Sequence, residues 1–140
     1  MAYDPDNVFA KMLRGEIPCH KLYEDDDTLA FLDIMPRSEG HALVITKEPA
    51  ADLFAVSAEG LAKLMAVVQK LAPQIKQAVG ADGVLIQQFN GATAGQTVFH
   101  LHVHIVPIKE GVAVKPHAGD MADQAELAAT AEKIRKVLSA

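Results

Sequence analysis

Apolar residues recur every three or four positions along two stretches of the chain, and this spacing predicts helices. The longer stretch, 57–79, forms one apolar stripe and predicts a long helix that Pro73 should kink or divide. The second stretch predicts a C-terminal helical tail over about 120–138, with Asp120 or Asp123 as its N-cap. The stripe of the long helix can be buried against a sheet or against a partner.

Five shorter runs are rich in β-branched and aromatic residues, which predicts strands. They occupy 21–23, 28–34, 41–46, 83–89 and 99–106. A short amphipathic helix is expected at 9–13, where Gly15 can end it. Because the strands outnumber the helices and do not alternate regularly with them, we expect an α+β fold. It should contain an antiparallel sheet of about five strands, one long helix and shorter helices.

Length and composition predict a single domain over residues 1–140. A chain of 140 residues, half of them hydrophobic, can bury one core and needs no second one. The formal net charge of −5 argues against nucleic acid as a partner, because binding to a phosphate backbone depends on clustered Lys and Arg. An anionic small molecule can still bind if backbone N–H groups, hydroxyls and imidazoles hold it locally.

A cytoplasmic location is expected. Cys19 is the only cysteine, which excludes an intramolecular disulfide and fits a reducing compartment. The N-terminal segment 1–18 is neither basic at its start nor continuously apolar, and no stretch approaches the length of a membrane span. We therefore expect no export signal and no membrane partner.

The predicted strand 99–106 carries histidine at alternate positions. His100, His102 and His104 should project from one face, and the apolar residues between them from the other. Neighbouring side chains on one strand face lie within about 7 Å of each other, close enough to engage one substrate. A neutral imidazole is a competent nucleophile toward phosphorus, so the run suits covalent catalysis.

Two other interpretations of the histidine run remain open. The three side chains can be polar residues on an exposed strand face, although three in register are hard to obtain by chance. They can also bind a metal, because histidine is the commonest metal ligand. Since no Cys, Asp or Glu lies next to the run, Asp33, His41 or His117 would have to complete such a site from elsewhere in the chain.

The segment before the histidines has the composition of a phosphate-binding loop. Glycine permits close backbone approach to an anion, and amide or hydroxyl side chains can donate hydrogen bonds. These residues are Asn90, Gly91, Gly95, Gln96 and Thr97. Alone they would be an ordinary strand connection, but their position beside three same-face histidines favours phosphate binding.

The stretch NGATAGQTVFHLHVHIVP, residues 90–107, resembles the signature of the histidine triad (HIT) family, His-φ-His-φ-His-φ-φ with φ apolar. Residues 15–47 are similar to the N-terminal half of the family, so the resemblance covers a core of about 9–107. It implies a HIT-like fold and a nucleotidyl hydrolase or transferase, similar to the bacterial Hint-like branch. The implied substrate is a purine nucleoside phosphoramidate attacked at its α-phosphate. The resemblance also implies a homodimer, with no metal and no cofactor.

The resemblance assigns unequal roles to the residues of this site. His102 matches the nucleophile that forms a covalent nucleotidyl-histidine intermediate, and His104 matches a contact to the α-phosphate and the leaving group. His100 matches a residue that orients the site together with His41, and Asp33 matches the acceptor of the ribose hydroxyls. The other residues implied to contact substrate are Phe9, Leu13, Ile17 and Ile34 at the base, and Asn90, Gly95, Gln96 and Thr97 at the phosphate.

Two departures from the family pattern bear on specificity. Some members bind zinc through paired cysteines, but Cys19 stands alone, so no zinc site is expected there in spite of His20. The tail beyond Lys109 lacks the tryptophan that helps to shape the pocket in the Hint-like branch. Two alternatives therefore stay open: a Fhit-like hydrolase of dinucleoside polyphosphates, and a nucleotide sensor or adaptor with incidental hydrolysis.

Overall fold

The chain folds into one five-stranded sheet with three α-helices, and the computed structural model describes residues 2–140. The helices are α1 (Val8–Leu13), α2 (Ala58–Val79) and α3 (Gln124–Leu138). The strands are β1 (Lys21–Glu24), β2 (Thr28–Leu32), β3 (Ala42–Thr46), β4 (Gly83–Gln87) and β5 (His102–Ile108). Every neighbouring pair of strands is antiparallel, so the predicted α+β fold with one long helix is confirmed.

The strand that carries the histidines lies inside the sheet. The strands are ordered β1-β2-β3-β5-β4, so β5 is hydrogen-bonded on both sides and β1 and β4 form the edges. The register places Ile45 opposite His102 and Leu43 opposite His104. Because two ladders hold β5, the positions of these histidines are set by backbone pairing rather than by a loop.

The two faces of the sheet carry different parts of the core. One face packs against α2 and α3 and buries Val44, Val103 and Ile105. The other face holds a smaller apolar group under α1, formed by Phe9, Leu29, Phe31, Leu43 and Ile45. Since successive side chains of a strand point to opposite faces, the register puts His102 and His104 on the α1 face.

The histidine strand begins later than its sequence predicts. β5 starts at His102 and continues to Ile108, whereas the β-rich run predicts a strand over 99–106. The shift arises because the N–H of Leu101 donates to the carbonyl of Ala50, 2.8 Å away in the connection after β3. His100 therefore precedes the strand, although its ring remains on the α1 face, with its centroid 6.4 Å from that of Phe9.

The structure decides two alternatives that the sequence left open in the helices. Pro73 does not divide α2, which continues from Ala58 to Val79; the proline is exposed, and Leu71 and Ile75 on the opposite side are fully buried. Helix α3 has Asp123, not Asp120, at its N-cap position, and the Asp123 side chain makes no capping hydrogen bond. Within residues 2–140, no helix combines the length and the apolar character needed to cross a membrane.

Gly40 fixes the turn that leads into His41 and β3. Its φ of +87° lies in the left-handed region that side chains disfavour. A Cβ at this position would lie 2.9 Å from Cγ1 of Val79 and 3.3 Å from Cγ of Pro107. Glycine is thus required both by the backbone and by the packing immediately before a histidine of the site.

Candidate active site

Five of the six histidines of the chain gather around the ring of His104. The His104 centroid lies 5.1 Å from that of His102, 5.2 Å from that of His41 and 5.3 Å from that of His117. His100 joins the group through its backbone, which contacts the His102 ring. The four histidines predicted from the sequence are buried, whereas His117, from the segment after β5, is half-buried.

The hydrogen bonds of His102 and His100 fix which ring nitrogens carry protons. Nδ1 of His102 lies 2.6 Å from the carbonyl oxygen of His100. A carbonyl can only accept, so Nδ1 carries the proton and Nε2 keeps its lone pair. In the same way Nε2 of His100 donates to the carbonyl of Thr46 over 2.7 Å, and its Nδ1 accepts from the hydroxyl of Tyr3, also 2.7 Å away.

A second chain of hydrogen bonds ends at a free donor on His104. The backbone N–H of Arg37 donates to Nδ1 of His41 over 3.0 Å, so Nε2 of His41 carries the proton. That proton is donated to Nδ1 of His104, 2.9 Å away. Nε2 of His104 must then carry the ring proton, yet it is buried and has no partner among residues 2–140. A buried unpaired donor costs free energy, which is tolerable at a site where a ligand supplies the acceptor.

Burial keeps these imidazoles neutral. Removal from water lowers the pKa of His102 to about 4, that of His41 to about 3 and that of His104 to about 2. The positive charge of Arg37 adds to the effect on His41 and His104. Burial also lowers the pKa of His100. At neutral pH the site therefore offers the uncharged His102 that nucleophilic attack requires.

Asp33 lies at the edge of the histidine group. Its Oδ1 accepts from the N–H of Met35 over 2.8 Å, and its Oδ2 lies 3.5 Å from Nε2 of His41. Burial raises the pKa of Asp33, while the hydrogen bond from Met35 and the charge of His117 oppose that rise. The carboxylate thus keeps acceptor capacity beside the histidines.

The structure separates two of the four apolar residues implied to contact a base, Phe9 and Ile34. Phe9 is buried on the α1 face, with its ring centroid 5.0 Å from that of His102 and 5.3 Å from that of Phe31. Leu13 packs into the same apolar group. Ile34 instead packs against the core on the α2 and α3 side, so it is not brought next to Phe9.

The side chains of the predicted phosphate loop mainly hold the loop itself. The amide nitrogen of Gln96 donates to the carbonyls of Ala51 and Val98, 2.7 and 3.0 Å away, and its oxygen accepts from the N–H of Gly91 over 2.8 Å. With those three bonds made, Gln96 supports the loop fold. An anion would have to be bound by other donors of this segment.

Asn90 is similarly engaged, and the remaining loop residues are more open. Oδ1 of Asn90 accepts from the N–H of Leu53 over 2.9 Å, and its amide exchanges hydrogen bonds with Gln88. Gly95 has a φ of +111°, a left-handed conformation that favours glycine. Thr97 is exposed, so its hydroxyl and the loop backbone are the accessible polar groups.

Three side chains near the histidines were not predicted from the sequence. The guanidinium of Arg37 donates to Gln87 and to the carbonyl of Lys115, and its charge reaches His41 and His104. Tyr3 holds His100, as described above. His117 was named only as a distant metal ligand. All three come from turns or terminal segments, where no periodic pattern marks a functional residue.

A cavity of about 620 Å³ adjoins the site. It lies between the β2–β3 connection, the segment after β5 and the start of α3, and its lining includes Asp33 and His41 but neither His102 nor His104. Arg37, Lys109 and Lys115 line it together with the carboxylates of Glu39, Asp120, Asp123 and Glu126. Its lining therefore contains both acidic and basic side chains, with the acidic ones in the majority.

Within residues 2–140, one group of side chains has the spacing of a metal site. Ligand atoms of Asp33, His41 and His104 all lie within 4.8 Å of one another. However, Nε2 of His41 and Nδ1 of His104 share a proton over 2.9 Å, and a metal would have to displace it. The expectation that no metal is needed stays a prediction.

Comparison with known proteins gives a family match and named relatives. The model of the HIT domain matches residues 14–111. The adenylylsulfatase HINT3 of Arabidopsis thaliana is 44% identical over 105 residues, which are 75% of this chain and 53% of that protein. The adenosine 5'-monophosphoramidase hnt1 of Schizosaccharomyces pombe is 45% identical over 100 residues, 71% of this chain and 72% of that protein. The chain thus spans about half the length of the Arabidopsis relative.

A solved structure resembles the whole chain. The crystal structure of a Hit-like protein involved in cell-cycle regulation from Bartonella henselae superposes with a TM-score of 0.93 at 44% sequence identity. The match covers 98% of this chain and 99% of that chain. The likeness therefore includes the segment after β5 and α3, which lie beyond the matched domain.

The buried histidines should make stability fall with acidity. Their pKa values are about 2 to 4 in the folded protein for His41, His102 and His104, against about 6.5 in an unfolded chain. Below pH 7 the unfolded chain takes up protons that the folded protein does not. Each histidine should therefore lower the free energy of unfolding by about 1 kcal/mol between pH 7.5 and pH 5.5. Urea unfolding at both pH values measures the total decrease in the free energy of unfolding. In His102→Gln this decrease should be smaller by the contribution of one histidine. Equal stability of the wild-type protein at both pH values would contradict the neutral assignment.

Proposed function

This chain belongs to the HIT domain family, and on that premise we propose that it is a nucleotidyl hydrolase or transferase acting on purine nucleoside phosphoramidates. The reaction is attack of His102 on the α-phosphate, followed by hydrolysis of the nucleotidyl-histidine. The observation that carries the proposal is the state of two adjacent neutral imidazoles. Nε2 of His102 has a free lone pair, and Nε2 of His104 carries a proton that no group among residues 2–140 accepts.

Displacement at phosphorus needs a nucleophile and a hydrogen-bond donor to the phosphate oxygens, and the two histidines suit these two roles. Nε2 of His102 forms the new bond to phosphorus while the bond to the leaving group breaks. Nε2–H of His104 donates to a phosphate oxygen, whose negative charge grows in the transition state. Water then attacks the phosphorus, the bond to His102 breaks, and its electron pair returns to Nε2. Division into two displacements lowers the barrier of each one.

The neighbouring residues fit a nucleoside monophosphate unit. Asp33 has a carboxylate oxygen beside His41 that can accept hydrogen bonds from ribose hydroxyls. Phe9, Phe31 and Leu13 form an apolar wall suited to a base. The backbone of the loop 90–97 and the hydroxyl of Thr97 can bind phosphate oxygens, whereas Asn90 and Gln96 hold the loop in place.

The named relatives support an adenylyl substrate. One is called an adenosine 5'-monophosphoramidase and the other an adenylylsulfatase. The group common to both names is the adenylyl unit, whereas the leaving groups differ. A purine nucleotide is therefore the proposed ligand of this chain, and the phosphoramidate is the proposed form of its substrate.

Replacement of His102 should abolish turnover but not binding. His102→Ala should lower kcat by about 1000-fold or more, because no other buried imidazole of the site offers a free lone pair. The Kd of AMP should change only a few-fold. Intact-mass analysis of rapidly quenched wild-type reactions should show an adenylyl adduct that is absent from the variant.

His20→Ala is the matched control, because His20 lies outside the histidine group and contacts Gln124. This variant should turn over normally, and wild-type activity should survive exhaustive chelation. Normal turnover by His102→Ala together with no trapped adduct would refute the covalent mechanism. It would favour the alternative of a nucleotide sensor with incidental hydrolysis.

The preferred leaving group distinguishes the proposed phosphoramidase activity from that of a Fhit-like enzyme. We expect kcat/KM for an adenosine phosphoramidate to exceed that for a diadenosine polyphosphate by at least about tenfold, which corresponds to about 1.4 kcal/mol in transition-state binding. Steady-state rates on both compounds with one protein preparation measure the ratio. A ratio strongly in favour of the diadenosine compound would assign the alternative substrate.

We also propose a homodimer that forms through the β4 edge. β4 has an unpaired edge and exposes Leu85 and Ile86, and Met65 on α2 is exposed as well. The opposite edge is partly covered, since Arg135 of α3 donates to the carbonyl of Lys21 over 2.8 Å. An open, apolar edge strand favours pairing with a second copy.

A charge on the β4 edge should dissociate the dimer. Ile86→Lys should shift the mass measured by light scattering from twice 15.0 kDa to 15.0 kDa, because a desolvated lysine would oppose association. Met121→Lys, which charges an exposed apolar residue before α3, is the control and should stay dimeric. A wild-type protein of 15.0 kDa at micromolar concentration would exclude the dimer.

A further inference from the structure

The segment between β5 and α3, residues 109–123, crosses the site as a strap. The N–H of Lys115 donates to the carbonyl of Arg37 over 2.8 Å, and Nε of Arg37 donates to the carbonyl of Lys115 over 3.1 Å. Farther along, the N–H of Ala122 donates to the carbonyl of Ile34 over 2.9 Å. The strap is therefore tied to the β2–β3 connection on both sides of His117.

His117 is the strap residue whose side chain enters the site. Its Nε2 donates to the carbonyl of Gly95 in the predicted phosphate loop over 3.0 Å. Its ring centroid lies 4.9 Å from that of Phe89 and 5.3 Å from that of His104. The next residue, Ala118, has a φ of +54°, an uncommon conformation for a residue other than glycine that is found more often at functional sites.

His102 and His117 are both ring neighbours of His104. The three rings follow one another with centroid separations of 5.1 and 5.3 Å. In an in-line displacement the nucleophile and the leaving group lie on opposite sides of phosphorus. If His102 attacks and His104 contacts the phosphate oxygens, His117 is the other histidine beside His104 that can meet the departing group.

The buried histidines are poorly suited to protonate a leaving group. Burial lowers the pKa of His104 to about 2, so at neutral pH its ring carries a single proton and would become an imidazolate on losing it. The proton of His41 is donated to His104, and those of His100 and His102 are donated to backbone carbonyls. His117 is half-buried, and with Nε2–H bound to Gly95 its Nδ1 remains available.

We propose that His117 is a further catalytic residue, the general acid that contacts the leaving group; this role rests on the proposed function of the same site. In the first step Nε2 of His102 bonds to phosphorus, the bond from phosphorus to the amine nitrogen breaks, and the amine takes a proton from Nδ1 of protonated His117. In the second step water attacks phosphorus and gives a proton to Nδ1, and the bond to His102 breaks. His117 is then protonated again, and no other reactant is needed.

Leaving groups of different basicity test this role. One substrate is the AMP phosphoramidate of an alkylamine, which needs a proton to depart, and the other is the 4-nitrophenyl ester of AMP, whose anion departs without one. For His117→Gln we expect the single-turnover rate of adduct formation on His102 to fall by about 100-fold or more with the phosphoramidate, which is typical of removing a general acid. The loss on the nitrophenyl ester should be less than about threefold, since proton transfer contributes little there. His117→Ala should show the same split, and His20→Gln should leave both rates unchanged.

The possible outcomes separate this role from a structural one and from the proposed function itself. An equal loss on both substrates would mean that His117 only holds the strap and the loop, and no loss on either would mean that it takes no part; both results overturn the proposal. Adduct formation on His102 with the nitrophenyl ester should persist in His117→Gln. If wild-type protein forms no adduct with either substrate, the covalent function fails, whatever the effect of His117.

Discussion

The hydrogen bond from Nδ1 of His102 to the carbonyl of His100 is the constraint on which the site depends. It holds the ring in one tautomer, so that the lone pair remains on Nε2. The carbonyl is in position because His100 precedes β5 and is itself held at both ring nitrogens, by Tyr3 and by the carbonyl of Thr46. Residues from the N-terminal segment, β3 and β5 thus together orient Nε2 of His102.

The fold supports that bond by placing the larger apolar core and the histidines on opposite faces of the sheet. Alternation along β5 sends Val103 and Ile105 into the core on the α2 and α3 side and leaves His102 and His104 on the other face. Burial then lowers the pKa values of these histidines, which keeps them neutral. The same burial leaves a donor of His104 unpaired, a cost in stability that an acceptor on a ligand would offset.

Several polar residues around the histidines hold neighbouring segments in place. Gln96 and Asn90 use their amides to fasten the loop before β5. Arg37 fastens the strap and adds positive charge near His41. His117 joins strap and loop through its bond to Gly95. Backbone segments from both sides of β5 therefore meet beside the histidines, and side-chain hydrogen bonds connect them.

The sequence by itself determined the features that depend on local spacing. The alternation of histidine with apolar residues predicted a strand with two unlike faces, and the three- and four-residue spacing predicted α2 and α3. Together with the resemblance of 90–107 to a known signature, this predicted the α+β fold and the family. Such patterns are visible because helix and strand periods act over neighbouring residues.

Only the tertiary structure decided the features that join distant segments. The start of β5 depends on Ala50, the tautomer of His104 depends on Arg37 and His41, and the continuity of α2 through Pro73 depends on packing of its buried side. Tyr3 and His117 reach the histidines from opposite ends of the chain. A hydrogen bond between residues 97 positions apart leaves no periodic trace in the sequence, because only the folded chain brings its partners together.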